Sequence, residues 1–136
     1  MDASWRERFS GIDRLYGLGT LEKLVASHVA VIGLGGVGSW VVEALARSGV
    51  GALTLVDADD LCVSNTNRQL PALEGQYGRG KADAMAERCR AINPQADVRA
   101  VASFLTPSNM ESLLGDGFDV VLDACDSFRS KVEMIA

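Results

Sequence analysis

The stretch "HVAVIGLGGVGSWVVEALARSGVGALTLVD", residues 28–57, restricts the fold more than any other part of the chain. Its apolar run from His28 stops at Gly33, which suits a buried parallel strand. Gly33-Leu34-Gly35-Gly36-Val37-Gly38 then forms a glycine-rich turn. From Val37 to Ser48 the apolar spacing is helical, and Gly49 and Gly51 stop it. "ALTLVD" reads as a second strand. In such a turn Gly33 permits the tight bend, Gly35 lets the backbone approach a phosphate, and Gly38 lets helix and strand pack closely. The helix start aims amide donors and a positive dipole at an anion. This is a nucleotide cradle, and by itself it is neutral between NAD and ATP.

The rest of the chain continues the alternation. Helices are expected over residues 3–9, 20–27, 80–92 and 107–115, with Thr20 offered as one N-cap and Thr106 or Ser108 near the start of the last. "DVRAVA" reads as a third strand of alternating polarity, and "FDVVLDAC" as a fourth, fully buried one. Another helix is expected from Ser127 on. Strand and helix alternate four times, which predicts an α/β fold: a Rossmann-like, doubly wound, mostly parallel sheet with right-handed crossovers. Residues 1–27 read as a helical arm and 28–136 as the nucleotide-binding domain. Four strands are few for this fold, and "SKVEMIA" is an amphipathic pattern without a stop signal. A truncated piece of a longer domain is therefore expected. The alternative is a small domain whose apolar edge a partner chain covers.

A chain of 136 residues allows one compact domain with one core. The formal net charge of -5 argues against nucleic-acid binding by overall charge and leaves a local basic patch open. No apolar run approaches a membrane span, and the polar start "MDASWRERFSG" has no secretory core, so a cytoplasmic protein is expected. Cys62, Cys89 and Cys125 are widely spaced and form no CxxC pair, which argues against a disulfide framework or a four-cysteine zinc site. Each reads first as a small buried hydrophobe. His28 is the single histidine, enters the first strand and reads as structural.

Downstream residues discriminate between the nucleotides. Asp57 ends the second strand and is placed to bind ribose hydroxyls, with Asp59 two residues on; Asp59 and Asp60 read equally well as solvated loop acids. "VSNTNRQ" concentrates Asn65, Asn67, Arg68 and Gln69, donors suited to phosphate, although alone it reads better as a polar surface loop. Lys81 opens a helix, where a cation opposes the dipole unless an anion compensates it. Asp123 and Asp126 follow the fourth strand, at the sheet edge where ligands bind; Asp126 is a candidate Mg²⁺ ligand or simply a helix cap. Arg8 and Arg14 precede the first strand, and an arm arginine such as Arg14 is a candidate phosphate ligand in its own or a neighbouring subunit. Hydride transfer has little use for such a set. Activation by ATP does, because the leaving pyrophosphate develops charge.

The order GxGxxG, Asp57-x-Asp59, Asn65-x-x-Arg68-Gln69, Lys81 and Asp123-x-x-Asp126 resembles the ubiquitin-activating-enzyme-like superfamily, which includes the adenylyltransferases that activate sulfur carriers for molybdopterin and thiamine synthesis. "WRERFSGIDRLYG", "GVGSWVVEALARSGVGALTLVDADDLCVSNTNRQL" and "AERCRAINP" are most similar to its tRNA-modifying branch, which cyclises a threonylcarbamoyl group on adenosine with loss of water. The resemblance implies ATP and Mg²⁺, with Gly33, Gly35, Gly36 and Gly38 at the phosphates and Asp57 and Asp59 at the ribose side. It implies Asn65, Arg68 and Lys81 on the triphosphate and Asp126 on the metal. It also casts Arg14, Arg68, Lys81 and Asp126 as catalytic, Arg14 lent across a homodimer. The partner implied is tRNA, or alternatively a ubiquitin-like sulfur carrier with a sulfur-transfer protein. A nucleotide-binding module without catalysis is the remaining alternative.

Overall fold

The computed structural model describes residues 3–115 and 117–125. Three short helices come first: α1 (Ala3–Phe9), α2 (Gly11–Tyr16) and α3 (Thr20–Val25). Strand and helix then alternate as β1 (His28–Ile32), α4 (Gly38–Arg47), β2 (Ala52–Val56), α5 (Lys81–Ile92), β3 (Asp97–Val101), α6 (Met110–Leu114) and β4 (Val120–Asp123). The strands form one sheet in the order β3-β2-β1-β4, and every neighbouring pair is parallel. The fold is the expected Rossmann-like doubly wound α/β sheet. The chain winds outward from β1 to β3, then returns to place β4 on the other side of β1. That reversal opens a crevice beyond the carboxyl ends of β1 and its neighbours.

The period-2 alternation of the strands assigns the two faces. Val29, Val31, Leu53, Leu55 and Val98 pack with Val42 and Ala46 of α4 and with Met85, Ala86 and Cys89 of α5. Ala30, Ile32 and Val56 face the other way, with Leu105 and with Met110, Leu113 and Leu114 of α6. Trp5 and Phe9 of α1 and Leu21 of α3 form a further cluster against Ile92, where α5 ends. A Cβ at Gly49, just before β2, would stand 2.8 Å from Leu21. The N-terminal helices thus sit at the amino edge of the sheet, opposite the crevice.

His28 has a structural role, as expected. The Thr54 hydroxyl lies 2.8 Å from its Nε2, and Nδ1 lies 2.8 Å from the carbonyl oxygen of Gly117. A neutral ring with Nδ1–H donating and Nε2 accepting satisfies both contacts. Asp119 accepts the His28 backbone N–H at 2.7 Å, fastening the start of β1 to the turn before β4.

The structure corrects several boundaries. β4 is not fully buried: it lies at the sheet edge, with Val120 and Val121 exposed. Its apolar composition mimics a central strand, and only the strand order reveals the difference. Thr20 is not an N-cap; its hydroxyl donates to Tyr16 O, while Asp13 accepts the Leu21 N–H at 2.8 Å. α3 stops at Val25 and α6 is shorter than residues 107–115. α2 was not expected, because six residues carry too little periodicity. The helix expected from Ser127 lies outside the described residues.

Glu43 is a buried acid on the apolar side of α4. It accepts from Arg47 Nε at 2.7 Å, one turn on, and from Arg88 of α5 through both Nε and Nη2. The Arg88 pair cross-links α4 and α5. Hydrogen bonding by Arg88 holds the Glu43 carboxyl below its ordinary value, against the opposing effect of burial, and Arg88 is correspondingly raised. A lowered folded-state pKa stabilises the fold above the unfolded value of 4.5 and is lost as pH falls through the folded value. Glu43→Gln is expected to lose about 2 kcal/mol at pH 7, the scale of charged hydrogen bonds. In denaturant titrations the variant and the parent should converge as the pH is taken down through the acid range below 4.5; a constant gap would show that Glu43 acts by packing alone.

Candidate nucleotide site

The glycine loop leaves β1 at Gly33, whose φ of 92° is the left-handed region that favours glycine. A Cβ at Gly33 would also stand 2.9 Å from the backbone of Ala124 beyond β4. Gly38 opens α4, and a Cβ there would lie 1.7 Å from the Gly33 carbonyl oxygen. No side chain fits, so helix and strand meet backbone to backbone. Gly35 differs: the nearest atom to its Cβ would be Gln69 Nε2 at 3.7 Å. Gly36 faces the stem of Arg68 at 3.4 Å. Gly33 and Gly38 are required by the fold, whereas Gly35 leaves room for a ligand.

Two side chains hold the loop. Ser39 is fully buried; its hydroxyl donates to Gly35 O at 2.6 Å and accepts the Leu70 N–H at 3.3 Å. Asp57 Oδ2 accepts the Leu34 N–H at 2.8 Å, and Oδ1 accepts the Asp59 N–H at 2.8 Å. The acid expected to meet ribose is thus first a clamp between the loop and the end of β2. Each oxygen keeps a second lone pair.

The crevice beyond the strand ends is a cavity of about 610 Å³. It gathers Gly33, Gly35, Gly36, Asp57, Asp59, Asn65, Arg68 and Lys81 from the expected set. Gly38 is not in the lining; it acts from behind, through its contact with Gly33. Asn65 is buried in a short 3-10 turn, Val63–Asn65, where its Oδ1 accepts the Cys62 N–H at 2.9 Å. Half of its amide is therefore committed to the loop. Arg68 is exposed; its Nη1 donates to Asn67 Oδ1 and Ser64 O. Trp40 of α4 donates through Nε1 to Arg68 O at 2.9 Å, pinning the loop against the helix.

Lys81 is held by an antiparallel bridge between Asp60 and Gly80 and by its own N–H donating to Asp59 O at 3.0 Å. It is only 7% exposed, lines the cavity, and forms no ion pair among the described residues. A buried ammonium at a helix start is costly without a counter-charge, so an anionic ligand is the natural complement. Gln69 is buried too, and its Oε1, an acceptor, has no hydrogen-bond partner among the described residues, so it calls for a donor from a ligand or water.

Other expectations fall elsewhere. Arg14 lies on α2 at the opposite edge, exposed and outside the lining, so the fold does not bring it to this chain's cavity. Asp126 lies outside the described residues. Asp123 does not line the cavity; its Oδ1 accepts from the backbone and thiol of Cys125, which does. Cys62 is exposed outside the lining, and burial pushes the Cys89 thiol up to about 12. Sequence reasoning missed Ser103, Phe104 and Leu105, which wall the cavity after β3. Phe104 is 68% exposed there, and an apolar ring just past a strand end was the signal available.

Comparison with known proteins places this geometry. The chain matches the ThiF family over residues 10–135. It belongs to that family. It is 51% identical over 133 residues to the tRNA threonylcarbamoyladenosine dehydratase of Escherichia coli, covering 98% of this chain and 50% of the relative. With the enzyme of the same name from Haemophilus influenzae it shares 50% identity over 133 residues, covering 98% and 51%. The crystal structure of the E. coli enzyme in complex with ATP matches at a TM-score of 0.96 and 50% identity, over 98% of this chain and 55% of that one. The chain spans about half the length of the curated relatives it matches.

The two glycine classes should separate by experiment. Gly38→Ala is expected to destabilise the protein by at least about 3 kcal/mol, through the clash with Gly33 O. Gly35→Ala should shift stability by no more than about 0.5 kcal/mol yet weaken nucleotide binding on the order of tenfold. Thermal melts and nucleotide titration of both variants test the division, and equal effects on stability would refute it.

Proposed function

We propose that this chain is the ATP-binding part of a tRNA-modifying enzyme that cyclises threonylcarbamoyladenosine with loss of water. The observation that carries the reading is Lys81, a buried ammonium without an ion-pair partner among the described residues, facing the glycine loop across a cavity. The E. coli relative, half identical in sequence, is the protein crystallised with ATP, which supports ATP over NAD. We take residues 28–136 as the nucleotide-binding domain and 1–27 as its arm, in a cytoplasmic and homodimeric protein.

The chemistry divides into activation and closure. The substrate carboxylate attacks the α-phosphorus of ATP, pyrophosphate leaves, and a nucleophile of the same side chain then displaces AMP and closes the ring. Amides at Gly35 and Gly36 would receive the phosphates, Gly35 where there is room for a ligand and Gly36 beside the stem of Arg68. Lys81 and Arg68 would neutralise the charge that grows on the departing pyrophosphate. The free lone pairs of Asp57 would meet the ribose while its bound ones hold the loop. Ser103, Phe104 and Leu105 would shelter the base. Magnesium enters as the ion that accompanies ATP. Its expected ligand Asp126 lies outside the described residues, and no group of three metal-binding side chains occurs among the described ones. Arg14 would act only on a second copy's cavity, given its position at the far edge.

The test uses the full-length protein with tRNA bearing threonylcarbamoyladenosine. Pyrophosphate release and a product lighter by one water are expected. Lys81→Ala should lower kcat/KM by about 10²–10³. Pyrophosphate release with a carrier protein's C-terminus, and none with tRNA, would replace this reading by sulfur-carrier activation.

A further inference from the structure

A second concavity, of about 440 Å³, is lined by Arg8, Phe9, Arg47, Arg88, Ala91 and Ile92. It lies between α1, α4 and α5, at the opposite edge of the sheet from the nucleotide cavity. Three guanidiniums from three helices converge there in a chain whose net charge is -5. Helix α5 connects the two sites: Lys81 opens it at one and Ile92 ends it at the other. Twelve helical residues put them about 18 Å apart.

The arginines are held rather than loose. Arg8 donates through Nη1 to Ile92 O at 3.1 Å and through Nε to Ser4 Oγ. Glu43 takes Nε of Arg47 and Nε and Nη2 of Arg88. That leaves Arg8 Nη2, both terminal nitrogens of Arg47 and Arg88 Nη1 outside these bonds. The charges do not cancel. Three guanidiniums face one carboxylate and the C-termini of α1, α4 and α5, each about half a negative charge, which leaves the groove positive by about half a unit. Such planar forks, two of them oriented by a buried acid, match phosphate oxygens.

We propose that this groove binds backbone phosphates of the RNA substrate, as a subsite separate from the ATP cavity. The assignment rests on the tRNA reading above. It resolves how an acidic chain meets a polyanion: contact is confined to a local set of arginines, a helix length from the chemistry.

The test compares full-length parent, Arg8→Gln/Arg47→Gln and Arg8→Lys/Arg47→Lys. Both positions are exposed, and Glu43 keeps Arg88 in each variant. tRNA binding is measured by fluorescence anisotropy over a range of salt, alongside ATP binding and thermal melts. The glutamine variant should bind tRNA on the order of tenfold more weakly, with its salt slope reduced by about two units, one per phosphate contact. ATP affinity should be unchanged, melting should fall only slightly because Glu43 keeps Arg88, and lysines should restore much of the loss of tRNA binding. If the parent binds tRNA and the glutamine variant binds equally well, the groove assignment falls while the tRNA reading stands. If inorganic phosphate displaces the RNA at the groove's own affinity, the site is one for free phosphate and the RNA assignment is overturned. Loss of self-association alone, measured by sedimentation, would assign the groove to a second copy instead. Absence of tRNA binding and of tRNA-dependent pyrophosphate release in the parent would remove both proposals.

Discussion

The backbone contact between Gly33 and Gly38 governs the rest of this structure. Because a Cβ at Gly38 would overlap the Gly33 carbonyl, α4 can begin directly against the end of β1 only with glycine there. That approach brings Ser39 under Gly35 and sets Leu34 where Asp57 can hold it. The crevice exists because β4 returns to the far side of β1, and Gly33 lies tight against the chain after β4. Close packing, loop shape and site position are thus one constraint seen at three levels.

Charge follows the same geometry. The sheet leaves two edges, and cations gather at both: Arg68 and Lys81 at the carboxyl edge, Arg8, Arg47 and Arg88 at the amino edge. The two groups are stabilised differently. Glu43 pairs with Arg47 and Arg88 and offsets part of the amino-edge charge within the protein. Lys81 has no such partner among the described residues, so its buried charge favours an anion from outside. One cation cluster is oriented and partly offset by an internal acid, whereas the buried lysine depends on an anion that enters the cavity.

Much of this was legible before any coordinates. Glycine spacing and the switch from period 2 to period 3.6 located β1, α4 and β2, since both periodicities are local consequences of backbone geometry. Eight of the expected nucleotide contacts do meet in one cavity. The misses share a cause. Val120 and Val121 look like core residues but lie on an edge strand. Glu43 looks like a surface acid on a helix, yet two arginines draw it inward. Phe104 gave only a weak signal because its loop gains meaning from what stands opposite. Each depends on which elements become neighbours, and neighbourhood is not a local property.

The sequence by itself determined the element types, the glycine turn, and the residue chemistry suited to a polyphosphate. Those rest on steric and periodic rules that act within a few residues. Only the tertiary structure decided which of the candidate residues share a cavity, that Asp57 clamps the loop as well as facing the cavity, and that a second group of arginines converges 84 residues apart in sequence where Arg8 reaches Ile92. Those outcomes come from strand order and helix packing. Both are settled by the burial of two sheet faces at once, which no short window of sequence contains.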